Sequence, residues 1–247
     1  MSLAGKTALI TGAGQNLGKA MALEMARQGA NIVVNTRSNV AQAEAVQREI
    51  EALGGRAMTA LADVSDEAQV QRMARNATQT FGGVDILVCS AANRGRHDKE
   101  YTDSTLEEWR AVHRVILEGA FFLTRAVLPH MTSKQWGRIL FLSGYGPFNH
   151  KSAALSTAKF GLNGLCEALA RGYASQGVLV NVLSPGVMET VRAPNRPMRP
   201  DAASQIPVGH LGSPQDFAKF AAFLCSPENS FVTGETIMVN GGQVMPA

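Results

Sequence analysis

Apolar and polar positions along this chain follow two alternating periods. Short, nearly unbroken apolar runs rich in β-branched residues occur at TALIT (7–11), NIVVNT (31–36), AMTALAD (57–63), ILVCSA (86–91), ILFLS (139–143), LVNVLS (179–184) and IMVNG (237–241). Runs of this kind read as buried strands, apolar on both faces. Between them, LGKAMALEMARQG (17–29), NVAQAEAVQREIEALGG (39–55) and DEAQVQRMARNATQTFGG (66–83) carry apolar residues at helical spacing. The second and third open near a capping residue and stop at a glycine pair, as helices do. Strand–helix alternation sustained along the chain predicts an α/β fold: a doubly wound parallel sheet of about seven strands with helices on both faces. No linker, repeat or low-complexity stretch interrupts it, so residues 1–247 read as one domain. The segment Val187–Leu211 is richest in Pro and Arg. It reads as a long excursion at the carboxyl end of a strand, where α/β enzymes build lids.

Composition narrows the function classes. With 45% hydrophobic and 17% charged residues, the chain has material for a large core and is not of the disordered class. A net charge of +3, with Lys and Arg scattered rather than clustered, leaves no electrostatic footprint for nucleic acid or an anionic membrane. Three cysteines at unrelated spacings favour free, buried thiols in a reducing compartment over a disulfide framework or zinc site, and no metal is expected. The first residues run directly into TALIT without a signal peptide, and even GAFFLTRAVL is interrupted by Arg125. A soluble, cytoplasmic protein is the expectation.

The first chemical signal is Thr11-Gly12-Ala13-Gly14-Gln15-Asn16-Leu17-Gly18, between the first strand and the first helix. Glycines there let the backbone turn sharply and approach a pyrophosphate, and the helix N-terminus offers unpaired N–H groups to its charge. An ordinary tight turn is the alternative, disfavoured by the strand–turn–helix context. The turn resembles the Thr-Gly-x-x-x-Gly-x-Gly signature of the short-chain dehydrogenase/reductase family, in particular its 3-oxoacyl-acyl-carrier-protein reductase-like members, with Asn16 in place of the middle glycine. Asn is the residue after glycine that best tolerates positive φ, so the turn can survive the exchange. Four further stretches carry the resemblance: Asp63-Val64, Asp85-Ile86-Leu87-Val88, Ser184-Pro185-Gly186 with Thr190, and VTGETIMVNGG (232–242).

That resemblance implies a nicotinamide dinucleotide site. Gly12, Gly14, Asn16, Leu17 and Gly18 would cradle its phosphates, and Asp63 and Val64 would lie against adenine. Ser90 and Ala91 follow strand four beside the cofactor. Pro185, Gly186 and Thr190 would flank the nicotinamide, and Lys159 would hold its ribose. Strand two ends Asn35-Thr36-Arg37-Ser38, without the carboxylate that would accept bonds from ribose hydroxyls and repel a 2′-phosphate. Thr36 and Arg37 instead suit a phosphate, which guanidinium binds bidentately, so NADP(H) is favoured over NAD(H). A solvated loop cation is the other reading of Arg37.

The catalytic positions depart from the family. Its proton relay is a tyrosine one helical turn before a lysine, a serine holding the substrate oxygen, and an asparagine on the preceding helix. Here the lysine is Lys159, but the tyrosine position is Leu155, and the asparagine position falls at or beside Ile116. The motif after strand four reads Cys89-Ser90-Ala91-Ala92. Strand five ends Ser143-Gly144-Tyr145, so Ser143 takes the serine role only if the shortened interval shifts the register. Tyr145 is a candidate acid or, alternatively, an aromatic wall. His150 is a candidate acid or base or a solvent-facing loop residue, and His113 and Glu118 are weaker candidates. Cys89 reads as an apolar filler, and Trp109 and Trp136 as packing residues.

Two functions follow from the resemblance. One is an NADP(H)-dependent oxidoreductase of a small carbonyl or alcohol substrate with a non-standard proton donor. The other is a divergent member that keeps dinucleotide binding without the usual redox chemistry. The substrate pocket would be built from residues 93–105, 145–152 and Val187–Leu211. Arg94 and Arg96 would favour an anionic substrate unless they are merely solvated. A homotetramer is expected, joined through residues 105–131 and 153–175 and the C-terminal segment.

Overall fold

The computed structural model describes residues 2–93, 101–144, 152–191, 198 and 200–244. Seven parallel strands form one sheet: β1 Thr7–Thr11, β2 Asn31–Thr36, β3 Ala57–Leu61, β4 Ile86–Cys89, β5 Gly137–Leu142, β6 Val178–Pro185 and β7 Thr236–Val239. Their order is β3-β2-β1-β4-β5-β6-β7. The direction of winding reverses between β1 and β4. Ligands of open α/β sheets bind at such a switch, beyond the carboxyl ends of the strands.

Helices α1 Asn16–Arg27, α2 Val40–Ala52 and α7 Pro214–Leu224 cover one face, packing Met21, Met25, Ile50 and Phe217 on Ile10, Ile32 and Leu183. The other face carries α3 Glu67–Phe81, α4 Leu106–His113, α5 Gly119–Ser133 and α6 Ala153–Tyr173, over Leu9, Leu87, Phe141 and Val180. A π-helical stretch, Arg114–Glu118, joins α4 to α5. Central strands are buried on both faces, as their sequences predict. The outer strands are not: β3 and β7 are half-buried and Leu61 is exposed. Each has only one neighbouring strand, a fact that local apolarity does not encode.

Helix caps follow the sequence. Asn39 accepts from the Gln42 N–H and Asp66 from the Gln69 N–H, the latter bond holding the Asp66 carboxyl below its usual pKa. Thr105 and Glu108 form a capping box at α4, and Ser152 and Ser213 cap α6 and α7. Helix α1 differs: its N-cap, Gln15, makes no side-chain capping bond. The N–H groups of its first turn are therefore left to a ligand, water or the surrounding loop.

Candidate functional site: a cleft at the glycine turn with an apolar floor

Thr11 builds the switch point. At the end of β1 its Oγ1 accepts from the Ser90 and Ala91 N–H groups, both at 3.0 Å, and donates to the Val88 carbonyl at 3.4 Å. These bonds draw the segment after β4 against the turn after β1. Gly12, at φ 64°, completes the approach: a Cβ there would stand 3.1 Å from Ala91 Cα and N. A Cβ on Gly14 would meet Thr36 Cγ2 at 2.9 Å, and one on Gly18 would collide with the Gly12 carbonyl. Asn16 takes φ 51° in the same turn, the left-handed conformation expected of the residue replacing a glycine.

A cleft of about 410 Å³ opens beside this turn. Gly12, Gly14, Thr36, Arg37, Asp63, Val64 and Ala91 line it, so seven of the sequence-predicted cofactor residues share one cavity. Arg37 is exposed at its rim and makes no ion pair among the described residues. Asp63 Oδ1 accepts from Ser65 N and Oγ, fixing the carboxyl at the end of β3. Asn35, Asn39, Gln42 and Asn93 also line the cleft, and sequence reasoning did not assign them. Asn35 carries a signal in retrospect, as an amide inside a β-branched run. It is buried, donating to the Ala60 and Ala62 carbonyls at 3.0 and 3.1 Å, so it joins β2 to β3 beneath the cleft floor.

Past the end of β6, Gly186 N donates to the Val239 carbonyl and Val187 N to Gln243 Oε1. Glu189 N donates to the Gly212 carbonyl. Pro185, Gly186 and Thr190 thus lie on a segment that leaves the sheet top. Asn16 meets it from the start of α1: Val191 N donates to Asn16 Oδ1 at 2.8 Å, and Asn16 Nδ2 to the Val191 carbonyl at 3.2 Å. Leu17 packs against the core cluster on that face of the sheet.

The chemical end of the site is apolar. Lys159 is buried on α6, and its Nζ donates to the Leu142 carbonyl at 2.5 Å. A second cavity, of about 10 Å³, touches Lys159 together with Thr11, Cys89, Ile116, Leu142 and Leu162, and is too small for a ligand. Leu155, one turn before Lys159, is 3% exposed in the same apolar cluster as Ile116. Cys89 is buried there, and burial pushes its thiol up to about 12, outweighing the opposing pull of the Lys159 charge. It stays protonated near neutrality and is no nucleophile.

Ser143 is 7% exposed, and its Oγ has no hydrogen-bond partner among the described residues. A buried hydroxyl left unpaired in a site is available to a ligand oxygen. Tyr145, His150, Arg94 and Arg96 lie outside the described residues. His113 is engaged elsewhere: it stacks on Trp109 at 4.3 Å between centroids, and its ring nitrogens contact the Trp109 carbonyl and Thr157 Oγ1. Glu118 is exposed and does not line the cleft. Trp136 packs against Lys6 and Arg138.

Residues 12–243 match the family model described as enoyl-(acyl carrier protein) reductase. The chain belongs to the short-chain dehydrogenase/reductase family, a family of oxidoreductases. Among its relatives, the 3-oxoacyl-(acyl-carrier-protein) reductase of Vibrio cholerae is 37% identical, the alignment covering 99% of this chain and all of the relative. The 3beta-hydroxysteroid dehydrogenase 1 of Eggerthella lenta is 36% identical over 98% of this chain and 95% of its own. In structure, a gluconate 5-dehydrogenase from Burkholderia cenocepacia in complex with NADP and tartrate superposes with a TM-score of 0.89. It is 29% identical, covering 98% of this chain and 96% of its own. A 3-oxoacyl-(acyl-carrier-protein), a 3beta-hydroxysteroid and gluconate stand in the names of these three proteins, so likeness alone does not choose a substrate.

Proposed function

We propose that this protein binds NADP(H) and transfers a hydride to or from a small carbonyl or alcohol substrate, with a proton donor other than the usual tyrosine. The glycine cradle carries the first half of this reading. Gly12, Gly14 and Gly18 leave room only for backbone, beside an α1 N-terminus with no side-chain cap, and the group that fits such a cradle is a phosphate. Thr36 and Arg37 would hold the ribose and its 2′-phosphate, Asp63 and Val64 the adenine, Ser90 and Ala91 the cleft wall. Pro185, Gly186 and Thr190 would flank the nicotinamide, and Lys159 would donate to the neighbouring ribose. Bound NADP(H) supplies or accepts the hydride.

The chain's own residues would manage the substrate oxygen. Ser143 Oγ, buried and unpaired, would donate to it. The Lys159 charge, in a poorly solvated pocket, would favour negative charge developing nearby. Tyr145 is the candidate to deliver the proton.

Hydride transfer is tested with 4-deuterated NADPH and a panel of ketones, aldehydes and β-ketoacyl thioesters, deuterium being sought in the alcohol product. The apolar surroundings of Lys159, with Leu155 and Ile116 where the family has proton-relay residues, favour the second reading: a dinucleotide-binding protein without this redox step. Micromolar NADPH binding with no label in any product would select it.

Cofactor choice has a separate test. Arg37→Ala is expected to weaken NADPH by about 10–100-fold, the scale of charge-assisted bonds to phosphate, while NADH changes little. Equal losses for both would refute the phosphate clamp.

Homotetramer formation is the assembly we propose. Phe121 on α5 and Phe160 on α6 are both close to half exposed, and such faces are ordinarily covered by a second copy. Sedimentation is expected to give four copies, and Phe121→Asp with Phe160→Asp to dissociate them. A monomeric wild type would refute it.

A further inference from the structure

Thr36, Arg37, Ser38, Asn39 and Gln42, from the end of β2 into the first turn of α2, form one wall of the cleft. None of them is a carboxylate, so this wall carries no charge that repels an anion. Two of the five are spent on the turn itself. Thr36 Oγ1 donates to the Asn39 carbonyl at 3.1 Å, and Asn39 Oδ1 accepts from Gln42 N at 3.0 Å. Gln42 enters that cap through its backbone alone. Its carboxamide is half-buried and makes no hydrogen bond among the described residues. The glycine turn decides where that carboxamide lies. The point at which a Cβ on Gly14 would stand is 3.2 Å from both Cβ and Oε1 of Gln42. The side chain is therefore folded back over Gly14, in the room that the missing Cβ leaves, between the turn after β1 and the wall that holds Arg37. With Oε1 against the turn, the two N–H groups of Nε2 point away from it, and they are donors without an acceptor in a cleft.

We infer that Gln42 is a residue of coenzyme choice, its Nε2 donating to the 2′-phosphate of NADP(H) beside the Arg37 guanidinium. This rests on the reading of the cleft as an NADP(H) site. A phosphate group presents acceptors only, and one guanidinium at an exposed rim satisfies two of its oxygens at most. A carboxamide supplies a further donor without a second charge to desolvate. With NADH the same position meets a ribose hydroxyl. A neutral bond to that hydroxyl replaces one to water at little net gain, so the contribution of Gln42 falls on the phosphate.

Isothermal titration of the wild type, Gln42→Leu and Gln42→Glu with NADPH and NADH tests this. Leucine keeps the backbone bond to Asn39 and much of the side chain's bulk while removing the donor. NADPH is expected to bind Gln42→Leu about ten-fold more weakly, the scale of a hydrogen bond to a charged group, with NADH within about threefold of wild type. Gln42→Glu puts a repelling acceptor in place of the donor. It is expected to weaken NADPH by about 100-fold and to leave NADH as tight as before or tighter. The fragments 2′,5′-ADP and 5′-AMP are expected to repeat the contrast, which places the effect at the 2′-phosphate. NADPH affinity unchanged in Gln42→Leu overturns the assignment. An equal loss for both coenzymes also overturns it, making Gln42 a packing residue of the glycine turn. Wild-type protein that binds neither coenzyme overturns the dinucleotide reading, and this assignment with it.

Discussion

Tyr145→Phe is expected to lower deuteride transfer by about 10²–10⁴-fold, the usual contribution of a positioned general acid, with NADPH affinity unchanged. The reason lies in what surrounds Lys159. Among the described residues, the positions one turn before it and across from it are Leu155 and Ile116, both about as buried as any core residue. Neither exchanges a proton. Ser143 can hold an oxygen, but an alcohol hydroxyl is a weak acid, and among the described residues no base is hydrogen-bonded to it. Tyr145 and His150 are the groups of suitable chemistry that follow Ser143 in sequence, and Tyr145 is the nearer of the two. Leu155→Tyr supplies the complementary measurement. Placed one turn before Lys159, a phenol would share the face of α6 that the ammonium occupies. Added to Tyr145→Phe, it is expected to restore a substantial part of the lost rate. Enlarging a buried leucine carries a stability cost of about 1–3 kcal/mol, so thermal melting must accompany the kinetics. Transfer unchanged by Tyr145→Phe would clear that residue. Faster transfer in Leu155→Tyr alone would then still show that the site gains from an acid one turn before Lys159.

Much of the fold was legible because its signals are local. The β-branched runs became the central strands within a residue or two at each end, and Asn39 and Asp66 cap the helices that they precede. The edge strands were misjudged as buried on both faces, because the absence of a neighbour is not written into the run itself. The glycine turn after β1 was legible for the same local reason, down to the positive φ of Asn16. Long-range polar pairs were not. Thr11 with Ser90 and Ala91, Asn35 with Ala60 and Ala62, and Asn16 with Val191 join residues brought together only by the completed sheet. The π-helical stretch Arg114–Glu118 also escaped. Its extra residue per turn changes the helical phase, placing Val115 at the cleft and Ile116 in the core. Sequence spacing alone left that phase ambiguous.

Gly18→Ala is expected to remove measurable dinucleotide binding and to lower the melting temperature, although alanine is the better helix former. Within α1 the exchange would by propensity alone stabilise the helix by about 1 kcal/mol. What opposes it is backbone. The new methyl would lie on the Gly12 carbonyl oxygen, 2.9 Å from its carbon and 3.1 Å from Ala13 Cα. None of those atoms belongs to a flexible side chain, so relief requires α1 to move away from β1. Gly12 is itself pinned on its far side by the backbone of Ala91, which Thr11 holds in place. The turn therefore cannot shift outward without breaking the β1–β4 junction, and overpacking of this kind costs about 1–3 kcal/mol. Displacing the first turn of α1 also takes its N–H groups away from where a phosphate would sit, and binding falls further than stability. Isothermal titration with NADPH and calorimetric melting separate the two effects. A variant that melts lower yet binds normally would show that the helix N-terminus is not the phosphate site. One that neither melts lower nor binds more weakly would show that the close approach of α1 to β1 is not required.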